Sequence, residues 1–282
     1  MRNLLIILLV GLVLFVVLFF IYRSDDRSQS RQEEQIEIVQ GNLNDFSEKS
    51  QEKNRTIHPG AHPEWPDVRD EKDVVSYTGF SLLYDEKHEQ ARWVAYELTQ
   101  AETVKGVERS NNFREDPNIS TRSASNEDYS KSGYDRGHLA PASDMGWSTT
   151  SMEESFYYSN MSPQNPGFNR GIWKKLETQV RNWASDHDAI YVVTGPVLSE
   201  GLPTIGPNRV SVPKYYYKVI LDNQEPGLHG IGFILPNEPS KLPLSSFAVS
   251  IDSVEKVTGL DFFPTLPPGS QALEGESCFK CW

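Results

Sequence analysis

Basic residues are scarce in this sequence of 282 residues. It has 27 Lys and Arg against 39 Asp and Glu, which gives a formal net charge of −12 at pH 7. Proteins that bind long stretches of nucleic acid neutralise the phosphates with many Lys and Arg side chains. The charge balance therefore argues against an extended electrostatic contact with a polyanion, although a local positive site is compatible with it.

Cysteine is nearly absent, with only Cys278 and Cys281, in a Cys-Phe-Lys-Cys sequence. A thiol redox motif normally opens a helix after a strand, and here only Trp282 follows, so we do not expect that chemistry. A small local disulfide would fit an oxidising compartment. Two free thiols or two metal-binding thiols are the alternatives.

Small residues are missing where the N-terminal apolar segment ends. Residues 4–22 form a run of 19 apolar residues, which is long enough to cross a hydrocarbon core of about 30 Å as a helix. A cleaved signal peptide usually has small residues at its cleavage site, whereas this run ends in Phe-Phe-Ile-Tyr. We therefore predict an uncleaved transmembrane anchor over residues 1–23, with a cleaved signal as the alternative.

Two further segments follow the predicted anchor. Residues 24–62 are rich in Ser, Gln, Glu, Asn and Arg and lack a sustained apolar period, which is typical of a flexible tether. Residues 63–282, roughly 220 in number, are enough for one large domain with a substantial core.

Runs of β-branched and aromatic residues between turn residues predict the strands of this domain. They predict a hairpin from residues 74–83 and 91–98, and further strands at residues 189–194, 215–221 and 230–235. Helical spacing predicts helices at residues 170–184 and 246–258, the second ended by Gly259. Strands joined by short turns, with few helices, indicate an α+β domain around a mainly antiparallel sheet.

Two short motifs contain the residues best suited to catalysis. The first has Asp-Arg-Gly-His at residues 135–138, and the second begins at residue 159 and includes Asn160, Asn169 and Glu177. Histidine can take a proton from water near neutral pH. Asparagine and glutamate offer oxygens to a hard cation or its water shell, and arginine binds phosphate oxygens with two N–H groups. This combination predicts metal-assisted cleavage of phosphodiesters.

The order and spacing of these residues, with Pro163-Gln164 between them and Trp173 before Glu177, closely resemble the DNA/RNA non-specific endonuclease family. These are the ββα-metal nucleases, and the resemblance covers roughly residues 79–264. It implies a central sheet with helices on both faces and a ββα-metal core, in agreement with the α+β prediction.

The resemblance also implies a role for each site residue. His138 would be the general base and Asn169 the ligand of a single Mg²⁺, with Mn²⁺ as the alternative ion. Glu177 would hold a metal-bound water, while Arg136 and Asn160 would orient or stabilise the phosphate. A further family arginine lies upstream of the first motif. Arg109 is the candidate for it and Arg114 is the alternative.

Two features of the second motif have structural alternatives. Asparagine is among the best helix N-caps, and Asn169 directly precedes the predicted helix. On that helix, Arg170, Lys174 and Arg181 lie within one sector and form a basic stripe. The stripe is either a ridge that binds phosphates or a solvated charged face.

The sequence thus predicts a membrane-anchored, Mg²⁺-dependent endonuclease that cleaves DNA and RNA. A nucleic-acid-binding protein without turnover and a phosphodiesterase of small nucleotides are the alternatives, and a homodimer is an alternative to a monomer. Arg23, Arg27 and Arg31 after the apolar run would favour a cytoplasmic domain. Because a non-specific nuclease there would attack the host's nucleic acid, we predict an extracytoplasmic domain, either periplasmic or at the cell surface.

Overall fold

A seven-stranded antiparallel sheet is the largest element of the computed structural model. The structure describes residues 62–104, 106–222, 228–266 and 278–282, all within the compact unit that spans residues 49–282. The predicted anchor and all but the last residue of the predicted tether lie outside the described residues. Within these described ranges, no helix is long and apolar enough to span a bilayer.

The sheet has the strand order β1-β2-β3-β6-β9-β10-β11, and two smaller sheets pair β4 with β5 and β7 with β8. In chain order, the strands are β1 (Val74–Ser76), β2 (Ser81–Asp85), β3 (Gln90–Thr99), β4 (Asp135–His138), β5 (Met161–Gln164), β6 (Ala189–Pro196), β7 (Thr204–Ile205), β8 (Val210–Ser211), β9 (Tyr215–Asp222), β10 (His229–Pro236) and β11 (Ala248–Val249).

The helices of the described residues are mostly short. They are α1 (Asn126–Tyr129), α2 (Thr149–Glu154), α3 (Lys174–Asp186) and α4 (Ile251–Thr258), together with a π-helical segment, Phe168–Trp173, that runs directly into α3. Turns of 3₁₀-helix occur at Glu71–Asp73, Ala101–Thr103, Tyr158–Asn160, Leu244–Phe247 and Phe279–Cys281.

Helices α3 and α4 cover opposite faces of the sheet. Trp183 of α3 stacks on Phe233 of β10, with ring centroids 6.2 Å apart. A Cβ atom at Gly232, the preceding residue, would lie 2.6 Å from Val254 of α4. Because successive residues of a strand point to opposite faces, the two helices lie on different sides. The predicted antiparallel sheet with helices on both faces is confirmed in these elements.

The main core lies between the sheet and α3. Leu176, Val180 and Trp183 recur at helical spacing and are buried, so that α3 presents one apolar stripe to the strands. Each fully buried side chain of this size contributes roughly 1.5–3 kcal/mol relative to exposure. The face of α3 that carries Glu177 is therefore fixed by the packing of its apolar stripe.

Two predicted elements differ from the structure. The run at residues 74–83 forms two strands, β1 and β2, because the Tyr77 N–H donates to the Phe80 carbonyl and turns the chain back on itself. The second predicted helix begins at Ile251 instead of residue 246, since Ala248 and Val249 pair with β10. Ser250 accepts a hydrogen bond from the Ser253 N–H and caps α4.

The other predicted elements are confirmed with small shifts of their ends. Strands β6, β9 and β10 coincide with the predicted runs, each extended by one or two residues. Gly259 adopts a φ of +68° at the C-cap of α4, a left-handed conformation that glycine adopts at little cost.

A disulfide joins Cys278 to Cys281 and closes a short C-terminal loop, which confirms the first of the predicted alternatives. The loop places Phe279 and Trp282 on Trp183 of α3, with ring centroids 5.7 and 5.1 Å away. Residues 278–282 are thus held against the helix that carries Glu177.

Removing this disulfide should weaken the attachment of the loop to α3. We expect Cys278→Ser combined with Cys281→Ser to lower the free energy of unfolding by about 2 kcal/mol, the chain entropy that so small a loop removes from the unfolded state. Denaturant unfolding measures the change. The wild type with a reductant should reach the same value, whereas the serine variant should not respond to the reductant. Equal stability of the two proteins without reductant would contradict the expectation.

Candidate active site

Strands β4 and β5 and the helical segment after them bring the two sequence motifs together. β4 pairs with β5 in antiparallel register, with Asp135 opposite Gln164 and His138 opposite Met161. The π-helical segment and α3 follow β5 along the chain. This ββα unit places the Asp-Arg-Gly-His motif beside the start of α3.

Gly137 allows the two strands to approach closely. A Cβ atom at this position would lie 2.2 Å from Cδ of Gln164, and the Gln164 side chain is fully buried. The glycine of the first motif is therefore required by packing against the second motif.

His138 ends β4 and is only 8% exposed. Its ring packs edge-on against Phe156 and Phe113, with centroids 4.8 and 5.7 Å away. Within the described part of the chain, its buried Nε2 has no hydrogen-bond partner. Burial, together with the positive charge of Arg109, lowers the pKa of His138 to about 3. The imidazole is therefore neutral at neutral pH and has a free lone pair with which to accept a proton.

Asn169 lies in the π-helical segment and is partly buried. Its Nδ2 donates to Oδ2 of Asp135 at 2.9 Å, and its Oδ1 has no hydrogen-bond partner within the described ranges. Asp135 also accepts from Nε and Nη2 of Arg170 at 2.8 and 2.6 Å. The carboxylate thus sets the orientation of the Asn169 amide and leaves its oxygen available to a ligand.

The structure does not show the helix-cap alternative for Asn169. The helical segment begins at Phe168, its N-cap is Gly167, and the Asn169 side chain bonds to Asp135. No residue pattern in the sequence predicts the irregular turn at Phe168–Trp173, in which Gly171 leaves helical geometry with φ −105° and ψ −108°.

Glu177 lies in the first turn of α3 and is partly buried. Burial raises the pKa of Glu177, and the charge of Asp144 adds to the increase, while the positive charges of Lys218, Arg181 and Arg109 oppose it. A divalent cation nearby would favour the ionised carboxylate in the same way as these basic residues.

Lys218 is a buried cation that the sequence analysis did not identify. It lies on β9 with no exposed surface, and its Nζ is 5.1 Å from the centroid of the Trp173 ring. The Nζ has no hydrogen-bond partner among the described residues. Burial lowers the pKa of Lys218, and the charges of Glu177 and Asp144 oppose this. A single lysine inside an otherwise apolar strand was the signal that could have revealed it.

Asp144, six residues after His138, is completely buried. It accepts hydrogen bonds from Nη1 of Arg181 at 2.7 Å and from the Tyr96 hydroxyl at 2.8 Å. These contacts fix Arg181 one turn after Glu177.

The predicted basic stripe, which runs from the π-helical segment into α3, has mostly local partners. Arg170 pairs with Asp135 and Arg181 with Asp144. Lys174 is exposed and forms no ion pair with any residue in the described ranges. Since two of the three positive charges are balanced, a continuous phosphate-binding ridge has little support.

Of the two candidate upstream arginines, Arg109 lies at the site. Its guanidinium is 4.9 Å from the Phe156 centroid, and its charge acts on both His138 and Glu177. Arg114 instead lies over Tyr157 at 4.7 Å and pairs with Glu153 at 3.7 Å.

Arg136 lies over the ring of Phe113, which packs against Phe156. Its guanidinium is 4.4 Å from the Phe113 centroid, and Nη1 donates to Oδ1 of Asn126 at 3.1 Å. The side chain is partly exposed, so it remains accessible to an anionic ligand.

The predicted phosphate contact of Asn160 conflicts with its position. The side chain has no exposed surface. Its Oδ1 accepts from the Ala140 N–H, and its Nδ2 donates to the carbonyls of Ala140 and Ser155 at 3.0 and 2.8 Å. Because both amide protons are used within the protein, Asn160 holds the backbone that follows His138 and does not reach a phosphate.

The donor set around Asn169 and Glu177 suits a hard, hydrated cation. Within the described ranges, no group of three or more His, Cys, Asp or Glu could hold a metal ion. Mg²⁺ commonly keeps several waters and needs only one or two oxygen ligands from the protein. The available Oδ1 of Asn169 and the Glu177 carboxylate fit that requirement, and Mn²⁺ takes the same kind of ligands.

Comparison with known proteins supports the motif assignment. The family model for DNA/RNA non-specific endonuclease matches residues 67–269. Mitochondrial nuclease EXOG of Danio rerio is 38% identical over 207 residues, covering 67% of this chain and 60% of that protein. Nuclease C1 of Cunninghamella echinulata var. echinulata is 39% identical over 212 residues, covering 69% and 84%. Mitochondrial endonuclease G of Homo sapiens is 35% identical over 209 residues, covering 68% and 70%.

A solved structure shares the fold. A chain in the crystal structure of the EndoG/EndoGI complex aligns with a TM-score of 0.65 and 37% sequence identity, covering 69% of this chain and 86% of that chain. The present chain spans only 60% of the length of the Danio rerio relative. The resemblance predicted from the two motifs is confirmed.

The buried neutral state of His138 should make stability depend on pH. Its pKa is about 3 in the folded protein and about 6.5 when unfolded, so between these values only the unfolded state binds the proton. The free energy of unfolding should therefore fall as the pH decreases through this window, by up to ~1.4 kcal/mol per pH unit from this residue.

Denaturant unfolding across this pH range, compared with His138→Gln, measures the contribution of the histidine. The variant should show a shallower pH dependence, and the two proteins should differ by a constant amount above pH ~7. Parallel curves throughout would show that His138 is protonated equally in both states.

Proposed function

Because the chain belongs to the DNA/RNA non-specific endonuclease family, we propose that it is a metal-dependent endonuclease that hydrolyses phosphodiester bonds in both DNA and RNA. One observation carries the proposal: a single strand, β4, ends in the neutral His138 and, through Asp135, orients the Asn169 amide. A base and a metal ligand are thereby joined by one short segment.

His138 would take a proton from the water that attacks phosphorus. Its neutral state makes the lone pair available across the neutral pH range. A bound phosphate adds negative charge beside the ring, which stabilises the imidazolium that forms and raises the basicity of His138. The hydrophobic contacts with Phe113 and Phe156 keep the ring in place during the transfer.

Arg136 and Arg109 would bind the phosphate and stabilise the charge that develops on its oxygens. Each guanidinium group rests on a phenylalanine ring that packs against the ring of His138. A cation held by Asn169, and through water by Glu177, would neutralise charge on the phosphate and on the leaving 3′ oxygen. The bond between phosphorus and the 3′ oxygen would break, and the 3′ oxygen would take a proton from water, which leaves a 3′ hydroxyl and a 5′ phosphate.

Contacts of this kind explain why DNA and RNA would both be substrates. Arginine and metal contacts to phosphate oxygens carry no direct information about base sequence. The proposal therefore does not require the protein to recognise the sugar or the base. Membrane anchoring through residues 1–23 and an extracytoplasmic location of the domain belong to the same proposal, with a homodimer as the alternative to a monomer.

His138→Ala should slow cleavage of plasmid DNA and of RNA by about 10²–10⁴-fold, the usual effect of a positioned general base. The Mg²⁺ concentration for half-maximal rate should stay near the wild-type value, because imidazole is not a proposed ligand. His88→Ala is the matched control, since His88 is equally buried at 8% exposure and bonds to Ser211 outside the site. Near-normal cleavage by the His138 variant would remove the proposed mechanism.

Asn169→Ala should instead raise the Mg²⁺ concentration that cleavage requires, and excess Mg²⁺ should restore part of the rate. Asn208→Ala is a close control, because Nδ2 of Asn208 donates to Asp128 at 2.9 Å, as that of Asn169 does to Asp135. Titration of rate against Mg²⁺ for both variants measures the effect. A loss that no Mg²⁺ concentration restores would assign Asn169 a structural role. Turnover without Mg²⁺ or Mn²⁺ in the wild type would contradict the metal dependence itself.

A further inference from the structure

His138 is part of a cluster of three aromatic rings. It lies edge-on to Phe156 at 4.8 Å and to Phe113 at 5.7 Å, and the two phenylalanines lie edge-on to each other at 4.9 Å. We call these three rings the aromatic cluster. Its edge-to-face geometry is the arrangement that aromatic pairs prefer, so each ring restricts the orientation of the other two.

Each phenylalanine of the aromatic cluster also supports an arginine on its face. The Arg136 guanidinium lies 4.4 Å from the Phe113 centroid, and that of Arg109 lies 4.9 Å from the Phe156 centroid. A guanidinium within about 6 Å of a ring centroid is attracted by the negative face of the ring. The cluster therefore positions the histidine and both arginines together.

The other contacts of these two arginines are with neutral groups. Arg136 donates to Oδ1 of Asn126 at 3.1 Å, and Arg109 donates to Oδ1 of Asn111 at 2.9 Å. Neither forms an ion pair with a carboxylate within the described ranges, although the charge of Glu177 acts on Arg109 from a greater distance.

Arg170 and Arg181 show the opposite arrangement. Asp135 and Asp144 hold them in short ion pairs of 2.6 and 2.7 Å. A carboxylate fixes a guanidinium strongly but also cancels its charge towards a second anion. An aromatic face fixes it more weakly and leaves the full positive charge available. This difference separates the two arginines suited to phosphate binding from the two that serve the structure.

We propose that Phe113 and Phe156 are positioning residues, which hold Arg136 and Arg109 beside His138 and leave both guanidinium charges free for the phosphate. This inference rests on the proposed function, since it assigns the two arginines to a substrate phosphate. It extends the site to a pair of apolar residues outside the two sequence motifs.

Phe113 is the better residue for a test. Phe156 has no exposed surface, and its replacement would disturb the core. Phe113 is partly exposed, so leucine or tyrosine at this position should be tolerated. Leucine preserves an apolar side chain of similar size without a π face, whereas tyrosine preserves the face.

The experiment compares Phe113→Leu and Phe113→Tyr in the full chain. Phe113→Leu should lower kcat/KM for DNA cleavage by about 3- to 30-fold, the effect of losing one cation–π contact. Phe113→Tyr should retain most of the wild-type rate. Phe247→Leu is the control for a general loss of packing, because Phe247 is buried in the main core and its ring forms no cation–π contact with an arginine among the described residues. It should lower stability with little change in kcat/KM.

A double-mutant cycle tests whether Phe113 acts through Arg136. If it does, Phe113→Leu should have little further effect in a protein that already carries Arg136→Ala. Equal losses in the leucine and tyrosine variants would overturn the proposal. So would a full additional loss in the Arg136→Ala background, or a loss matched by Phe247→Leu.

A binding measurement separates this proposal from the proposed function. Fluorescence anisotropy of a short labelled oligonucleotide, in the presence of a chelator, needs no turnover. Phe113→Leu should weaken binding by about 3- to 30-fold and Phe113→Tyr should not. An inactive wild type that shows this pattern would overturn the nuclease function and keep the positioning role. If the wild type is active and all three proteins have the same affinity and kcat/KM, the nuclease function stands and the positioning role is overturned.

Discussion

The carboxylate of Asp135 is the contact on which the site depends. It accepts one hydrogen bond from Asn169 and two from Arg170, and so ties β4 to the helical segment that leads into α3. His138 lies three residues further along β4, and Glu177 lies on α3. Without this carboxylate, the amide of Asn169 could rotate, and the segment that follows β5 would lose three hydrogen bonds to β4. The Asp135 side chain thus holds residues of the two sequence motifs in one site.

An acidic protein that acts on a polyanion must keep some positive charge unbalanced at a defined place. The net charge of −12 argues against a broad basic surface, and the buried or paired cations Lys218, Arg170 and Arg181 do not provide one. Arg109 and Arg136 rest on aromatic rings and keep their charge. The positive potential is therefore local. Such a site favours contact with a few phosphates at a time, which suits an enzyme that must release its products.

The sequence was sufficient where local pattern and packing agree. The apolar runs of β6, β9 and β10 and the helix stop at Gly259 depend on nearby residues, and they were predicted. The start of α4 was not, because pairing of Ala248 with β10 is a long-range contact. Spacing within the second motif identified Asn160 as a member of the site region but could not show that its amide points inward to the backbone. Lys218 was missed for a related reason, since only the packed fold reveals how completely β9 is covered.

The edge strands of the main sheet are short. Among the described residues, its outer strands are β1, with three residues, and β11, with two, while strands β3, β6, β9 and β10 at its centre have eight to ten. Long outer strands expose rows of unpaired N–H and C=O groups that can recruit a strand from another molecule. Edge strands of only two or three residues present few unpaired N–H and C=O groups of their own. The outer strands themselves thus offer little to edge-to-edge aggregation, even though most residues of the central strands are buried.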